Sequence, residues 1–240
     1  MSNLSRKLPA LIKTPYYQKV LRTQRANLLA YWPMWEASGA VGNDISGNAR
    51  HGAYTGVDLG QPGMGDGHTC PWWDGVNDYL NVYSTSLRDA FNSDTGTVMI
   101  WCKVNDISVW ADASARRAII IKRDWSNYIS LHKESGGSGF DFRYQSPGFE
   151  KNIYYDVDDI GWFCAALTWD RGVNEIKAYI KGSQYGATQS GMAVWDGAIA
   201  DAGIGSRVTH PTDPWHGWLG PTAIWSIPLT QTEITRLATV

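Results

Sequence analysis

Five histidines and 23 acidic residues are the groups in this 240-residue chain that could do chemistry, and their spacing limits what that chemistry is. Retaining glycoside hydrolysis needs two carboxyl groups about 5–5.5 Å apart. On one strand a Glu-x-Asp-x-Glu run supplies that spacing, because alternate residues share a face. No such run occurs. Asp156, Asp158 and Asp159 come closest, but they form a turn-like cluster before Gly161. His51, His68 and His132 are scattered, and His210 and His216 share one loop with Asp213 and Trp215. That spacing matches no helix or strand pair of metal ligands. There is no Gly-x-Ser-x-Gly elbow and no phosphate loop. Gly136-Gly-Ser-Gly139 precedes a strand rather than a helix and reads as a flexible hairpin turn. The expectation is a protein that is not an enzyme and requires no cofactor.

Binding chemistry is better supplied. The chain holds 13 Trp and 12 Tyr against 5 Phe. These rings combine a flat apolar face with a polar tip, and sugar-binding surfaces pair such faces with planar polar groups. Four tryptophans stand beside such groups in the sequence: Trp110 near Asp106 and Asp112, Trp125 near Asp124 and Asn127, Trp195 near Asp196, and Trp215 near Asp213 and His216. Trp110, Trp125, Trp215 and His216 are the candidate carbohydrate-binding residues. For each ring the alternative is a plug at the edge of the fold, since Trp is highly buried on average.

The net charge of −2 and the lack of a long run of one sign argue against nucleic acid, whose phosphates need clustered Lys and Arg. Basic residues gather only near the N-terminus, at Arg6, Lys7, Lys13, Lys19, Arg22 and Arg25. Cys70, Cys102 and Cys164 are odd in number and widely spaced, so neither a disulfide framework nor a metal cluster is expected. No apolar run approaches the 18 or so residues of a membrane span. Leu8-Pro-Ala-Leu-Ile12 is too short for a signal-peptide core.

The elements that must position these residues are strands. Short apolar or alternating runs recur between Gly, Asn, Asp and Ser turns from Leu28 onward: 28–32, 78–83, 97–103, 118–121, 128–132, 140–144, 162–169, 175–181 and 218–225. Phe140, Phe142 and Tyr144 alternate with Asp141 and Arg143, which places aromatics on one face and charges on the other. The pattern predicts an all-β antiparallel sandwich or jelly roll over 28–240. Residues 1–27 read as an arm and a short helix near 15–25, with Thr14 as N-cap and Pro15 at the first helical position. Tyr17, Val20 and Leu21 fall on one face of it. They either pack on the chain's own sandwich or dock on a neighbouring subunit. Thr230-Gln-Thr-Glu233 has the spacing of a capping box, opening a short C-terminal helix.

Several segments together resemble a known family. Leu29-Ala-Tyr-Trp-Pro-Met-Trp-Glu-Ala-Ser-Gly39 is similar to the opening strand of laminin G-like domains, and Asp44-Ile-Ser-Gly-Asn48 to the loop that follows. Trp73-Asp-Gly-Val-Asn-Asp-Tyr79, Thr168-Trp-Asp170 and Ala178-Tyr-Ile-Lys-Gly182 resemble later family segments in the same order. The resemblance covers about 15–240, includes phage-encoded members, and implies the concanavalin A-like β-sandwich. It also implies a structural calcium at Asp44 and Asn48, although Pro221 and Thr222 stand where many relatives carry an acidic pair. The function expected is a non-catalytic virion protein, a bacteriophage capsid-decorating or tail-associated subunit made in the host cytoplasm. It would contact other virion proteins or itself through the N-terminal arm and adhere to glycans. The alternative is a carbohydrate-binding module or lectin of bacterial or viral origin. Deleting residues 1–14 is expected to abolish particle incorporation while leaving folding intact; truncated protein that still assembles would remove the arm from the account.

Overall fold

Side chains that alternate in and out along short strands can close a core only when two sheets stack face to face. The computed structural model, which describes residues 14–137, 139–157, 159–208 and 212–240, shows that arrangement. In chain order the strands are β1 (Leu28–Trp32), β2 (Val41–Gly42), β3 (Gly52–Thr55), β4 (Asp58–Pro62), β5 (Thr69–Asp74), β6 (Tyr79–Asn81), β7 (Thr95–Val104), β8 (Arg116–Asp124), β9 (Asn127–Lys133), β10 (Gly139–Ser146), β11 (Phe149–Asp156), β12 (Phe163–Asp170), β13 (Glu175–Ile180), β14 (Ser183–Gln189), β15 (Asp201–Ile204) and β16 (His216–Trp225). The helices are α1 (Tyr16–Arg22), α2 (Thr85–Ala90), α3 (Ser108–Ala111) and α4 (Gln231–Leu237). Sheet A runs β14-β13-β12-β7-β16-β5-β4, with β1 also on β16; sheet B runs β11-β10-β9-β8-β15-β6-β3-β2. The ladders are antiparallel.

The main core lies between the sheets. Val98, Ile100, Cys102, Ala165, Leu167 and Ile224 from sheet A meet Ile119, Ile121, Ile129, Leu131, Phe140 and Phe142 from sheet B. Cys102 points into this core, whereas Cys164 on the next strand joins a second cluster on the outer face of sheet A. All three cysteines are buried free thiols. Near its middle β16 changes partner, pairing with β5 up to Trp218 and with β1 from Thr222. Pro221 sits where its register against β7 shifts. A proline has no N–H for the ladder, so a bulge is the place in a central strand that accepts it.

The second cluster closes the outer face of sheet A with the two terminal helices. Tyr16 and Val20 of α1 and Ile234 and Leu237 of α4 cover Tyr31, Met99, Trp101, Tyr179 and Trp225. The indole of Trp101 donates to the Tyr16 hydroxyl at 2.7 Å, and that of Trp225 donates to the Thr23 carbonyl at 2.9 Å. Thr230 and Glu233 form the expected capping box at α4. The helix α1 starts one residue later than expected: Pro15, not Thr14, takes the cap position, and its carbonyl accepts from the amides of Gln18 and Lys19. No helix among the described residues is long and apolar enough to cross a membrane.

This packing corrects the docking reading of Val20, while Tyr17 and Leu21 are half-buried on the chain's own fold. Val20 is fully buried in its own fold, Tyr17 stands edge-on to Trp35 at 5.5 Å, and Leu21 packs against the same cluster. The arm itself, residues 1–13, lies outside the described residues. Val20→Ala should therefore lower the unfolding free energy of the isolated chain by about 2 kcal/mol, the scale of a methyl-deleting core substitution. Urea denaturation checks this; an unchanged midpoint would mean that α1 is not part of the folded unit.

Candidate functional site

The pleat of β9 and β10 sends Ile129, Leu131, Phe140, Phe142 and Tyr144 inward. Tyr128, Ser130, His132, Asp141 and Arg143 therefore stand on the outer face of sheet B. The register sets Arg143 opposite Ser130 of β9 and Asn152 of β11, and Asp141 opposite His132 and Tyr154. Arg117 of β8 is level with His132. The result is one polar field drawn from four adjacent strands.

Arg143 organises it. Its guanidinium donates to Asp141 Oδ2 at 2.8 Å, to Glu134 Oε2 at 2.7 Å, to Asn152 Oδ1 at 2.8 Å and to the Tyr128 hydroxyl at 3.3 Å. His132 donates from Nε2 to Glu134 at 3.1 Å. Arg117 donates to Ser130 Oγ at 3.1 Å and to Asp213 at 3.3 Å, and Arg207 shares that carboxylate at 2.7 Å. Burial pulls His132 down to about 3, with Arg117 and Arg143 adding to the effect, so the ring is neutral. The hydrogen bond from His132 is the main reason that Glu134 falls to about 2. Asp141 moves the other way, up to about 6, because burial outweighs the pull of Arg143.

The rim of this face is aromatic. Trp125 sits in the two-residue turn between β8 and β9, and Asp124 closes that turn by accepting from the Ser126 amide at 2.8 Å and the Asn127 side chain at 2.9 Å. The turn leaves Trp125 50% exposed, with Lys122 at 4.3 Å and Arg207 at 4.8 Å from the ring centre and Tyr128 edge-on at 5.6 Å. At the other end Tyr154 of β11 is 44% exposed. Its ring crosses Gly139, where a Cβ would lie 1.9 Å from a ring carbon. Gly139 is thus a seat for an aromatic ring. Trp125 and Tyr154 bracket the polar field: Tyr154 is level with His132 and the Trp125 turn lies beyond Asn127, a separation of roughly 17 Å or more along the strands and roughly 10 Å across them.

The other expected site residues lie elsewhere. Trp110 and Trp215 are 1% and 0% exposed and form a core cluster with Phe140 and Phe163. Their indoles donate to the carbonyls of Asp159 and Lys103. Neither can stack on a ligand, which corrects the sugar-binding reading of both. His216, the first residue of β16, lies apart from the core ring of Trp215 and stands edge-on to Trp72 at 6.2 Å. Trp195 is buried. His210 and Asp158 lie outside the described residues.

Calcium at Asp44 does not fit either. Asp44 Oδ1 accepts from the amides of Tyr31 and Ser46 at 2.9 and 2.8 Å, and Oδ2 from the Ser46 hydroxyl and the Arg50 amide, both at 2.9 Å. Asn48 turns its amide NH2 to the carbonyls of Leu28 and Leu29. The Thr222 hydroxyl donates to the Gly220 carbonyl. A hard cation needs several free oxygens, and here they hold a loop instead. The donor atoms of His132, Glu134 and Asp141 do gather within 4.8 Å of one another. Arg143 already supplies the positive charge there, so a metal ion would have to displace a guanidinium hydrogen-bonded to both carboxylates.

Residues 74–235, more than half of the chain, match the family described as the concanavalin A-like lectin/glucanases superfamily. The chain belongs to that superfamily. No curated protein matches it by sequence. Among solved structures it is similar to the botulinum neurotoxin serotype D binding domain, with 14% identity and a TM-score of 0.67 over 89% of this chain and 52% of that one. It is also similar to domain 4 of an extracellular arabinanase from Geobacillus stearothermophilus in complex with arabinotriose, with 18% identity and a TM-score of 0.64 over 89% of this chain and 98% of that one. A third similar structure is Trypanosoma rangeli sialidase in complex with sialic acid, with 12% identity and a TM-score of 0.66 over 89% of this chain and 33% of that one. At these identities the likeness is one of fold. The chain spans about half of the toxin domain and a third of the sialidase.

The raised Asp141 carboxyl makes a pH test. Its proton is held more tightly in the folded state, so its stabilising contribution is complete below about pH 4 and is lost as pH rises through about 6. Wild type should lose about 2 kcal/mol relative to Asp141→Asn between pH 4 and pH 7. Parallel stability curves from chemical denaturation across that range would show that Asp141 titrates as it does in water.

Proposed function

We propose that this protein is a non-catalytic carbohydrate-binding module that holds a saccharide along β9–β11, between Trp125 and Tyr154. The observation that carries the reading is the half-exposed Trp125 ring beside the polar field organised by Arg143. A stacked pyranose or furanose presents C–H groups to the ring and hydroxyls to its surroundings. Arg143 and Asn152, with Glu134 and Glu150 on the exposed side, supply planar donors and acceptors for those hydroxyls. The fold is also similar to that of an arabinanase domain whose structure is in complex with arabinotriose, which supports the class of ligand.

Glu134 and Asp141 approach each other as closely as a hydrolytic pair, so the non-catalytic reading needs a reason. Asp141 is only 2% exposed, and one of its oxygens is clamped by Arg143. A general acid must reach the glycosidic oxygen. Asp141 serves the fold as the buried anchor of Arg143. The module needs no metal, since the candidate donor sets are engaged by protein groups. The reading of a virion subunit docked through the arm and helix at 1–27 has less support, since residues 1–13 lie outside the described residues and the helix that follows packs on its own sheet.

A glycan array followed by calorimetry tests the proposal. Trp125→Ala should weaken saccharide binding by about tenfold or more, the scale of one lost stacking contact, with the melting temperature within a degree or two of wild type. Binding that survives Trp125→Ala and Tyr154→Ala together would place the site elsewhere.

A further inference from the structure

The charges around Trp125 carry a conclusion about which saccharides fit, resting on the binding reading above. Every base against the ring or on the outer side of β9–β11 among the described residues already meets a carboxylate; Lys151 of β11 stands opposite the inward-facing Tyr144 and so lies on the other side of the sheet. Arg117 and Arg207 share Asp213 at 3.3 and 2.7 Å. Lys122 faces Asp201 at 3.5 Å. Arg123 lies 2.6 Å from Asp124 and 3.4 Å from Asp196. Arg143 lies 2.7 Å from Glu134, 2.8 Å from Asp141 and 3.5 Å from Glu150. The carboxylates that reach solvent best are Asp196, with its side chain 80% exposed, then Glu150 and Asp124. A ligand carboxylate arriving here finds no base free of a partner. It would have to break an internal ion pair and sit beside exposed like charges, and like-charge juxtaposition is strongly selective against a ligand.

We infer that the Trp125–Tyr154 surface selects uncharged saccharides and rejects sialylated or uronic-acid-containing ones. Hydroxyls can share the outer lone pairs of Glu134 and Glu150 and the one remaining Nη1–H of Arg143 without disturbing a pair. His132 adds no positive charge at neutral pH, because burial keeps the ring unprotonated. The selectivity is built by the internal pairing, so it is reversible by substitution. Asp213 is the place to reverse it. It holds two guanidinium groups, one of which, Arg207, also faces the Trp125 ring. Its backbone φ is +62°, a left-handed conformation that asparagine accepts more readily than other residues. The amide of Arg117 donates to the Asp213 backbone carbonyl, a contact that Asp213→Asn keeps.

The test uses the full chain and calorimetry against a panel of neutral arabino-, xylo-, gluco- and galacto-oligosaccharides and their sialylated or uronic-acid counterparts. The expected result is binding of at least one neutral member about tenfold or more tighter than its acidic counterpart. Asp213→Asn should strengthen binding of the acidic member about fivefold, leave the neutral one unchanged, and lose the gain at about 0.5 M salt, as screened charge requires. Acidic saccharides bound as tightly as neutral ones would overturn the selectivity while leaving the binding reading intact. No saccharide bound at all would overturn both. A neutral preference that Asp213→Asn leaves untouched would overturn the ion-pair origin proposed for it.

Discussion

The guanidinium of Arg143 is the hinge of the outer face of sheet B. Two carboxylates, Glu134 and Asp141, converge within 4.8 Å at the β9–β10 hairpin, and Asp141 is almost wholly removed from water. Buried like charges do not coexist without a counter-charge, and a group left alone shifts its pKa and neutralises. Arg143 supplies the counter-charge, its Nη2 donating to both carboxylates, with Tyr128 and Asn152 also accepting from the guanidinium. The one interaction holds β9, β10 and β11 in register on their polar side while Phe140, Phe142 and Tyr144 hold them on the apolar side.

That arrangement separates a buried polar network from an exposed surface within a few ångströms. His132, Asp141 and Ser130 lie under the surface and are spent on the network. Trp125, Tyr154, Glu134 and Glu150 lie at the surface and remain available. The local devices that present the two rings differ. Trp125 is displayed by a turn closed through Asp124, and Tyr154 is laid across a glycine that leaves room for it. The opposite face of the molecule has no comparable freedom, because α1 and α4 cover much of sheet A and join its aromatic residues into a second core.

The two sheets also dispose of residues that look functional in isolation. Trp110 and Trp215 belong to an aromatic plug with Phe140 and Phe163 at one end of the sandwich. Asp44 is a loop-building carboxylate whose acceptor positions are filled by four donors. Lys133, with no exposed side-chain surface, reaches Asp112 and the carbonyls of Asp112 and Ser114, and so seals the loop that carries Trp110. In each case an internal partner satisfies the polar atoms, which is what burial requires of them.

Periodicity alone determined the class of fold. The two-residue alternation of Phe140–Tyr144, the apolar runs at 97–103 and 162–169 and the Thr230–Glu233 box are local signals, and local signals are read one segment at a time. The edge strands β2, β4 and β14 were not legible because they bury few side chains and carry little apolar pattern. Exposure of a particular tryptophan was not legible either: Trp110, Trp125 and Trp215 each stand within two residues of an aspartate, and only packing separates a buried ring from an exposed one. The carboxylate pair escaped a search along single strands because Glu134 and Asp141 stand on either side of a hairpin. Their meeting depends on the register between β9 and β10, and Arg143 joins them only because the pleat turns it to the same side. Register and side are properties of the assembled sheet, so the tertiary structure had to decide them.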